Sequence, residues 1–244
     1  MSASHKTTAI SRRSFLKSAS AVSLMSLTSN TLLVGSSSAV TLTEVQRNSL
    51  DADDVIAMMK AGNQRFLNRQ SHAHNYIHEQ RDVSAIGQFP AAVILSCIDS
   101  RAPAEILMDL GIGDVFNIRV AGNVIGPDVL GSMEFACKIA GAKVVLVMGH
   151  TKCGAVKGAI DHAQLGNLTG LLGKIEPAVS ATDFKGDRSA KNYDFVDAVA
   201  KQHVLLTAEK IMEESHILHD LVSTNKIKVV SSLYDIQSGK LSFF

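Results

Sequence analysis

The chain of 244 residues contains no tryptophan, and aromatic residues make up only 5% of it. Valine, isoleucine, leucine and alanine must therefore supply most of the buried surface. The sequence also lacks internal repeats and a glycine-rich phosphate loop followed by Lys-Ser/Thr. The glycines between residues 111 and 126 are therefore interpreted as turn residues, not as a phosphate site.

Acidic residues are absent from residues 1–39, which contain four basic ones. Without this segment the net charge changes from +1 to −3, and a negative net charge argues against nucleic-acid binding. The remaining roughly 205 residues suffice for one domain.

The basic residues belong to a targeting pattern. Arg12 and Arg13 precede a moderately apolar stretch at residues 18–35 and the small residues 37–39. This pattern is typical of a twin-arginine export signal over residues 1–39, with residues 40–244 as the mature domain in the periplasm. Seven Ser or Thr residues and Asn30 interrupt the stretch, which disfavours a membrane span of about 20 apolar residues.

Cysteine is scarce, with only three residues in the chain. Cys137 lies in a helix-like run and is expected to be a buried core thiol. Cys97 and Cys153 instead stand near polar residues, and His150 precedes Cys153 by three positions. Zinc binds Cys sulfur and His nitrogen, and a site with three protein ligands keeps an open position for water. The sequence therefore predicts one zinc ion per chain, bound by Cys97, His150 and Cys153.

The apolar runs predict a fold that brings these ligands together. Short runs near residues 91–97, 114–119, 143–149 and 227–233 indicate strands, and helical patterns lie between them, including residues 52–69 and 192–224. This alternation predicts an α/β fold with a mainly parallel central sheet flanked by helices. Cys97 and His150 follow strands whose carboxyl ends share one edge, and Cys153 begins the next helix, whose positive N-terminus favours a thiolate.

Asp99 and Arg101 follow Cys97 closely. The Asp99 carboxylate can reach the fourth position of the metal, as a ligand or as an acceptor from bound water, and the Arg101 guanidinium can hold it ionised. The alternative is that Asp99 caps the following helix and Arg101 is a solvated surface residue. An open coordination position favours the functional interpretation.

The two motifs at residues 97–101 and 150–154, Cys-x-Asp-Ser-Arg and His-x-x-Cys-Gly, resemble those of the β-class carbonic anhydrases. Three shorter motifs in the same order extend the resemblance over about residues 50–244: residues 62–66, 119–123 and 234–239. The resemblance implies the fold of that family, a homodimer or homotetramer, and the reversible hydration of carbon dioxide to bicarbonate and a proton, a lyase reaction.

The resemblance also implies residue roles. Zinc-bound hydroxide would attack carbon dioxide, Asp99 would accept the hydroxide's hydrogen bond, and Arg101 would secure Asp99. Substrate contacts are implied for Gln88, as a donor to a substrate oxygen, and for Phe116, Ala121 and Phe135 as apolar walls. Core packing is an equally good interpretation of the two phenylalanines.

Two other functions remain open from the sequence. The same zinc site could hydrolyse carbonyl sulfide or carbon disulfide, or the chain could be a zinc-binding or redox-responsive module without turnover. Asp99 and Arg101 beside an open coordination position argue against the module. Two thiolates cancel the formal charge of the ion, so we expect a zinc water that ionises reluctantly and an activity profile that favours alkaline pH.

The histidines outside the motifs are interpreted as bystanders. His72, His74 and His78 could bind a surface metal, but a solvated loop is favoured, since no cysteine or carboxylate pattern accompanies them. For three histidines of the long helical stretch, His203, His216 and His219, an exposed and inert state is favoured over a proton-shuttle role.

Overall fold

A computed structural model of the chain describes residues 41–85 and 87–244; the predicted export signal lies outside these residues. The helices are α1 (Glu44–Ser49), α2 (Ala52–Leu67), α3 (Tyr76–His78), α4 (Ala104–Leu107), α5 (Pro127–Glu134), α6 (Gly154–Ile160), α7 (Gly166–Gly173), α8 (Glu176–Ala181), α9 (Tyr193–Glu214) and α10 (His216–Ser223). The π-helical turns Glu79–Val83 and Phe135–Ile139 continue α3 and α5. Within the described ranges, none of these helices has the length and apolarity that a membrane crossing requires.

The strands are β1 (Ala92–Ser96), β2 (Val115–Arg119), β3 (Val144–His150), β4 (Lys228–Tyr234) and β5 (Leu241–Phe243). They form one sheet in the order β2-β1-β3-β4-β5, in which the first four are parallel and β5 runs antiparallel to β4. This architecture confirms the predicted α/β fold with a mainly parallel sheet. The antiparallel β5 was not predicted, because three residues are too few to show an alternating pattern.

Both faces of the sheet are covered by helices. In β1, Ile94 packs with Val55 and Met59 of α2 on one face. Val93 and Leu95 point to the other face, where α5, α9 and α10 lie. Every residue of β1 and β3 is buried, which explains why these strands are continuous apolar runs.

Cys137 lies in the core against α10 and is only 5% exposed. Burial raises the pKa of its thiol to about 12, so Cys137 stays a neutral, unreactive side chain. The prediction of a buried core thiol is confirmed.

The helical stretch predicted over residues 192–224 is two helices, α9 and α10. Ser215 separates them in an extended conformation, and its hydroxyl accepts a hydrogen bond from the Leu218 N–H as the N-cap of α10. His203 on α9 is buried, and its Nε2 lies 2.8 Å from the carbonyl oxygen of Gly122. The expected exposed state is therefore wrong for His203, whereas His216 and His219 are exposed.

The short motif at residues 62–66 has a structural role. A Cβ at Gly62 would lie 1.8 Å from the carbonyl oxygen of Met108, so only glycine lets α2 approach this loop. The buried Asn63 amide donates to the carbonyl oxygens of Leu107 and Gly239 and accepts from the N–H of Leu241. Asn63 thus ties α2 to both the segment before β2 and the C-terminal strand.

The expected solvated loop of histidines is also wrong in part. The His74 side chain is only 6% exposed and contacts the carboxylates of Glu79 and Asp109. Burial would raise the pKa of Asp109, but hydrogen bonds from Arg65 and from the His72 N–H outweigh it and hold the pKa below its ordinary value. Asp109 lies 35 positions further along the chain, and Glu79 follows His74 only after the short helix α3, so the local sequence did not reveal these partners.

Candidate metal centre

The three predicted metal ligands meet at the carboxyl edge of the sheet. Cys97 follows β1, His150 ends the neighbouring parallel strand β3, and Cys153 is the residue before α6. One donor atom from each of the three lies within 4.8 Å of the other two, and all three residues are buried. Both parallel strands end at the same edge, which explains how residues more than fifty positions apart converge.

The His150 ring is oriented to present a free lone pair. Its Nδ1 lies 2.9 Å from the carbonyl oxygen of Thr151, so this nitrogen carries the proton. The Nε2 atom is buried and has no hydrogen-bond partner among the described residues. A buried, unpartnered acceptor beside two cysteine sulfurs is costly unless a cation binds it. The donor set therefore fits a zinc ion.

The two sulfurs are electrostatically in conflict without a cation. The Cys153 thiol beside the Cys97 sulfur, together with the Gly122 N–H that donates to this sulfur, lowers the pKa of Cys97. The charge that results on Cys97, together with burial, raises the pKa of Cys153. A divalent cation removes the conflict because it binds both sulfurs as thiolates.

Asp99 and Arg101 form a bidentate ion pair at this site. The Arg101 backbone N–H and Nε donate to Asp99 Oδ1 over 2.9 Å each, and Nη2 donates to Oδ2 over 2.7 Å. The Asp99 pKa lies far below its usual range, chiefly because of this guanidinium. Asp99 Oδ2 is 3.8 Å from His150 Nε2, so the carboxylate faces the ligand cluster. Pro103, not Asp99, is the N-cap of α4, which rules out the capping alternative.

Arg119 and Gly122 complete the site, although the sequence predicts no role for Arg119 and only a turn for Gly122. Arg119 Nε donates to the Cys97 carbonyl oxygen and Nη2 to that of Asp99, which fixes the turn carrying both residues. The Gly122 N–H donates to Cys97 Sγ over 3.3 Å. Gly122 has a φ of +65°, and a Cβ there would lie 2.6 Å from Ile175 Cδ1. The signal for both was the short motif at residues 119–123.

Asp197 also supports the site, although nothing in the sequence pointed to it. Its Oδ1 accepts the backbone N–H of Lys152 over 2.6 Å, across 45 positions of sequence. Lys152 stands between His150 and Cys153 with a φ of +56°, which L-residues rarely adopt. On the other side of this turn, Thr151 Oγ1 accepts the N–H of Ile236, from the motif at residues 234–239.

The predicted substrate contacts are only partly gathered at the cluster. Ala121 begins the short turn Ala121–Asn123 beside Cys97, and Gln88 is exposed in the segment before β1. Phe116 pairs in register with Val93, so along the strand it lies about 13 Å short of Cys97. Its ring packs edge-to-face on Phe135, with centroids 6.2 Å apart. Phe135 is 53% exposed, which excludes simple core packing for it, and the substrate roles of all four residues stay predictions.

Comparison with known proteins agrees with the geometry. Residues 92–241 match the family model described as carbonic anhydrase. Carbonic anhydrase 2 of Mycobacterium tuberculosis is 33% identical over 184 residues, which cover 75% of this chain and 87% of that protein. The crystal structure of a β-carbonic anhydrase from Aspergillus fumigatus superposes with a TM-score of 0.60 at 26% identity, covering 78% of this chain and 91% of that one. Tetrameric β-carbonic anhydrases from Sordaria macrospora share the fold, with a TM-score of 0.59 at 19% identity over 78% of this chain and 97% of theirs.

Proposed function

This chain belongs to the β-carbonic anhydrase family, and we propose that it catalyses the reversible hydration of carbon dioxide to bicarbonate and a proton at a zinc site formed by Cys97, His150 and Cys153. The observation that carries the proposal is the buried Nε2 of His150, which has no hydrogen-bond partner in the described part of the chain and faces two cysteine sulfurs and the carboxylate of Asp99. A redox or zinc-storage module does not require a carboxylate such as Asp99, which Arg101 fixes beside the three ligands.

A zinc ion at this donor set would act as a Lewis acid that lowers the pKa of a water molecule towards neutrality and so supplies the nucleophile. The neighbouring residues prepare the surroundings of that water. The Cys97 and Asp99 carbonyl oxygens are held by Arg119, and the Cys97 sulfur is held by the Gly122 N–H. The site is therefore organised before substrate arrives.

Asp99 is suited to orient the nucleophile. An ionised carboxylate has about four lone-pair positions, and it only accepts hydrogen bonds. Arg101 uses both positions of Oδ1 but only one of Oδ2. The free position therefore belongs to Oδ2, the oxygen that faces His150 Nε2. Because its pKa is so low, Asp99 stays ionised and accepts the hydrogen bond of the nucleophile without giving it a proton.

The experiment is stopped-flow carbon dioxide hydration, with zinc content measured on the same samples. Cys153→Ser should lose turnover together with the zinc ion bound by Cys97 and His150, whereas Asp99→Asn should keep that zinc and lose turnover by about 100-fold or more. Cys137→Ala is the matched control, because it removes the third cysteine at a site far from the ligands and should keep both. Full turnover in metal-free protein, or zinc near one per chain without turnover in the wild type, would overturn the proposal.

The enzyme is further proposed to act as a homodimer or homotetramer. Several large apolar side chains are exposed in the single chain: Val45, Ile77, Ile98, Ile106, Phe135, Ile139 and Leu165. Exposed apolar surface of this kind favours a partner, and the Sordaria macrospora relatives are tetramers. Light scattering on the purified full chain tests this, and a monomer at micromolar concentration contradicts it.

Export by the twin-arginine route to the periplasm is proposed from the sequence of residues 1–39. The two arginines and the absence of acidic residues support it. Cell fractionation of the wild type and of an Arg12→Lys, Arg13→Lys double variant tests it. Equal cytoplasmic retention of both proteins contradicts the proposal.

A further inference from the structure

A second group of metal-ligating side chains lies at the opposite end of the sheet. His72, His74 and Asp109 each place one donor atom within 4.8 Å of the other two. Asp109 precedes β2, at the amino end of the parallel strands, whereas the catalytic cluster lies at their carboxyl end. The five residues of β1 alone separate these two edges by about 16 Å. The two sites are therefore distinct.

The orientation of His74 is that of a metal ligand. Its Nδ1 lies 2.9 Å from Glu79 Oε1, and Glu79 Oε2 accepts the N–H of Ile112, so the carboxylate is fixed. The ring also stacks on Tyr76, with centroids 5.2 Å apart and planes within 2°. A carboxylate that accepts from one imidazole nitrogen directs the lone pair of the other nitrogen outward, as in most histidine metal ligands.

That outward nitrogen points at another acceptor. His74 Nε2 lies 3.2 Å from Asp109 Oδ1. A neutral imidazole has one proton, so if Glu79 receives it, a nitrogen lone pair faces a carboxylate oxygen. Two ligands of one tetrahedral ion at about 2.1 Å are about 3.4 Å apart, which is close to this separation. The pair therefore has the spacing of two donors around a shared cation.

The local charge balance also calls for a cation. The side chains of Glu79 and Asp109 are 2% and 1% exposed, and Arg65 is the cation in contact with Asp109, at 2.5 Å between Nε and Oδ2. While His72 and His74 are both neutral, one guanidinium leaves a pair of buried carboxylates with an uncompensated negative charge, which is strongly unfavourable. His72, with its Nδ1 at 2.8 Å from Asp109 Oδ2 and a side chain 32% exposed, lies on the solvent side and can adjust to an ion.

We propose that His72, His74 and Asp109 bind a divalent transition-metal ion, Zn²⁺ in the simplest case, which pins the segment after α2 to the loop before β2. Two imidazoles and one carboxylate are ligands that zinc accepts, with water as the fourth ligand on the exposed side of His72. The inferred role is structural, because the carboxylate held by Arg65 is itself one of the three ligands and the ion would link two segments of the chain.

The test is zinc stoichiometry and affinity on the full-length protein, by equilibrium dialysis against Zn²⁺ and by elemental analysis. The wild type should bind two ions per chain. Cys153→Ser should bind one and His72→Gln should bind one, while the double variant should bind none. His78→Gln is the matched control, because His78 is an exposed histidine of the same segment whose ring pairs with Asp82, and this variant should bind two ions.

Two further measurements test whether the second site binds zinc when the first site cannot. In Cys153→Ser, added Zn²⁺ should raise the melting temperature, and His72→Gln should abolish that rise. Glu79→Gln keeps an oxygen for His74 Nδ1 but loses the charge, so it should weaken the second site by about 10- to 100-fold. If Cys153→Ser binds no zinc and its melting temperature ignores the metal, the cluster is closed by a proton on His74 and the inference is wrong. This result would leave the catalytic proposal intact, because that proposal depends on the other site.

Discussion

One remote carboxylate, Asp197, holds the turn between His150 and Cys153, and its removal should weaken zinc binding at the proposed site. In Asp197→Ala the Lys152 N–H loses its acceptor, which lies 2.6 Å away in the wild type. Lys152 keeps its left-handed conformation, with a φ of +56°, only because its surroundings hold it there. Without Asp197 the turn can relax, and zinc must then reorganise it on binding.

The magnitude follows from the type of hydrogen bond. A bond to a charged acceptor contributes about 1.5–3 kcal/mol. If the whole loss falls on metal binding, the zinc dissociation constant should rise by about 10- to 100-fold, since 1.4 kcal/mol corresponds to a factor of ten. Any part of the loss that lowers the free energy of unfolding instead should lower this factor correspondingly. Asp197→Asn keeps the Oδ1 acceptor and should show a smaller effect, roughly tenfold or less.

The assay is competition with a chromophoric zinc chelator, combined with chemical denaturation of the same proteins. Asp194→Ala is the matched control, because it removes an exposed carboxylate from the same helix end without touching the turn. Adding Lys152→Gly to Asp197→Ala should recover part of the affinity, since glycine adopts a positive φ without strain. If Asp197→Ala binds zinc as tightly as the wild type and unfolds at the same denaturant concentration, the turn does not depend on Asp197.

Three further predictions concern single residues. Gly122→Ala forces a Cβ to 2.6 Å from Ile175 Cδ1, so it should lower both the melting temperature and the zinc affinity. Adding Ile175→Val should partly restore both. An unchanged zinc affinity in Gly122→Ala would contradict the assigned role of Gly122. His203 is buried and its pKa is lowered, chiefly by burial, so the unfolded chain binds more protons. The free energy of unfolding should therefore fall as the pH drops below 6.5, with a weaker slope in His203→Gln, and identical slopes in urea titrations would refute this. Asn63→Ala leaves three buried backbone groups unpaired and should cost at least about 3 kcal/mol of unfolding free energy, whereas a loss under about 1 kcal/mol would show that water replaces the amide.

Local pattern alone was enough to identify Cys97, His150 and Cys153, whose donor atoms the structure brings together. Cys97 and His150 each stand at the end of a buried apolar strand, and neighbouring parallel strands bring such ends to one edge. The residue types at these ends, cysteine and histidine, are by themselves typical zinc ligands. The Asp99–Arg101 ion pair was equally predictable from the sequence, because the two residues are only two positions apart and no distant segment is needed.

The tertiary structure decided whatever depends on contacts between distant segments. Asp197 reaches Lys152 across 45 positions, and His74 meets Asp109 across 35, because α9 and the loop before β2 are placed by packing against the sheet. No periodicity or spacing encodes such meetings. Phe135 illustrates the converse, since its apolar side chain was compatible with either core or pocket, and only the packed chain shows it half exposed against Phe116. Sequence thus determined which chemistry the strand ends carry, and packing determined which remote side chains hold those ends in place.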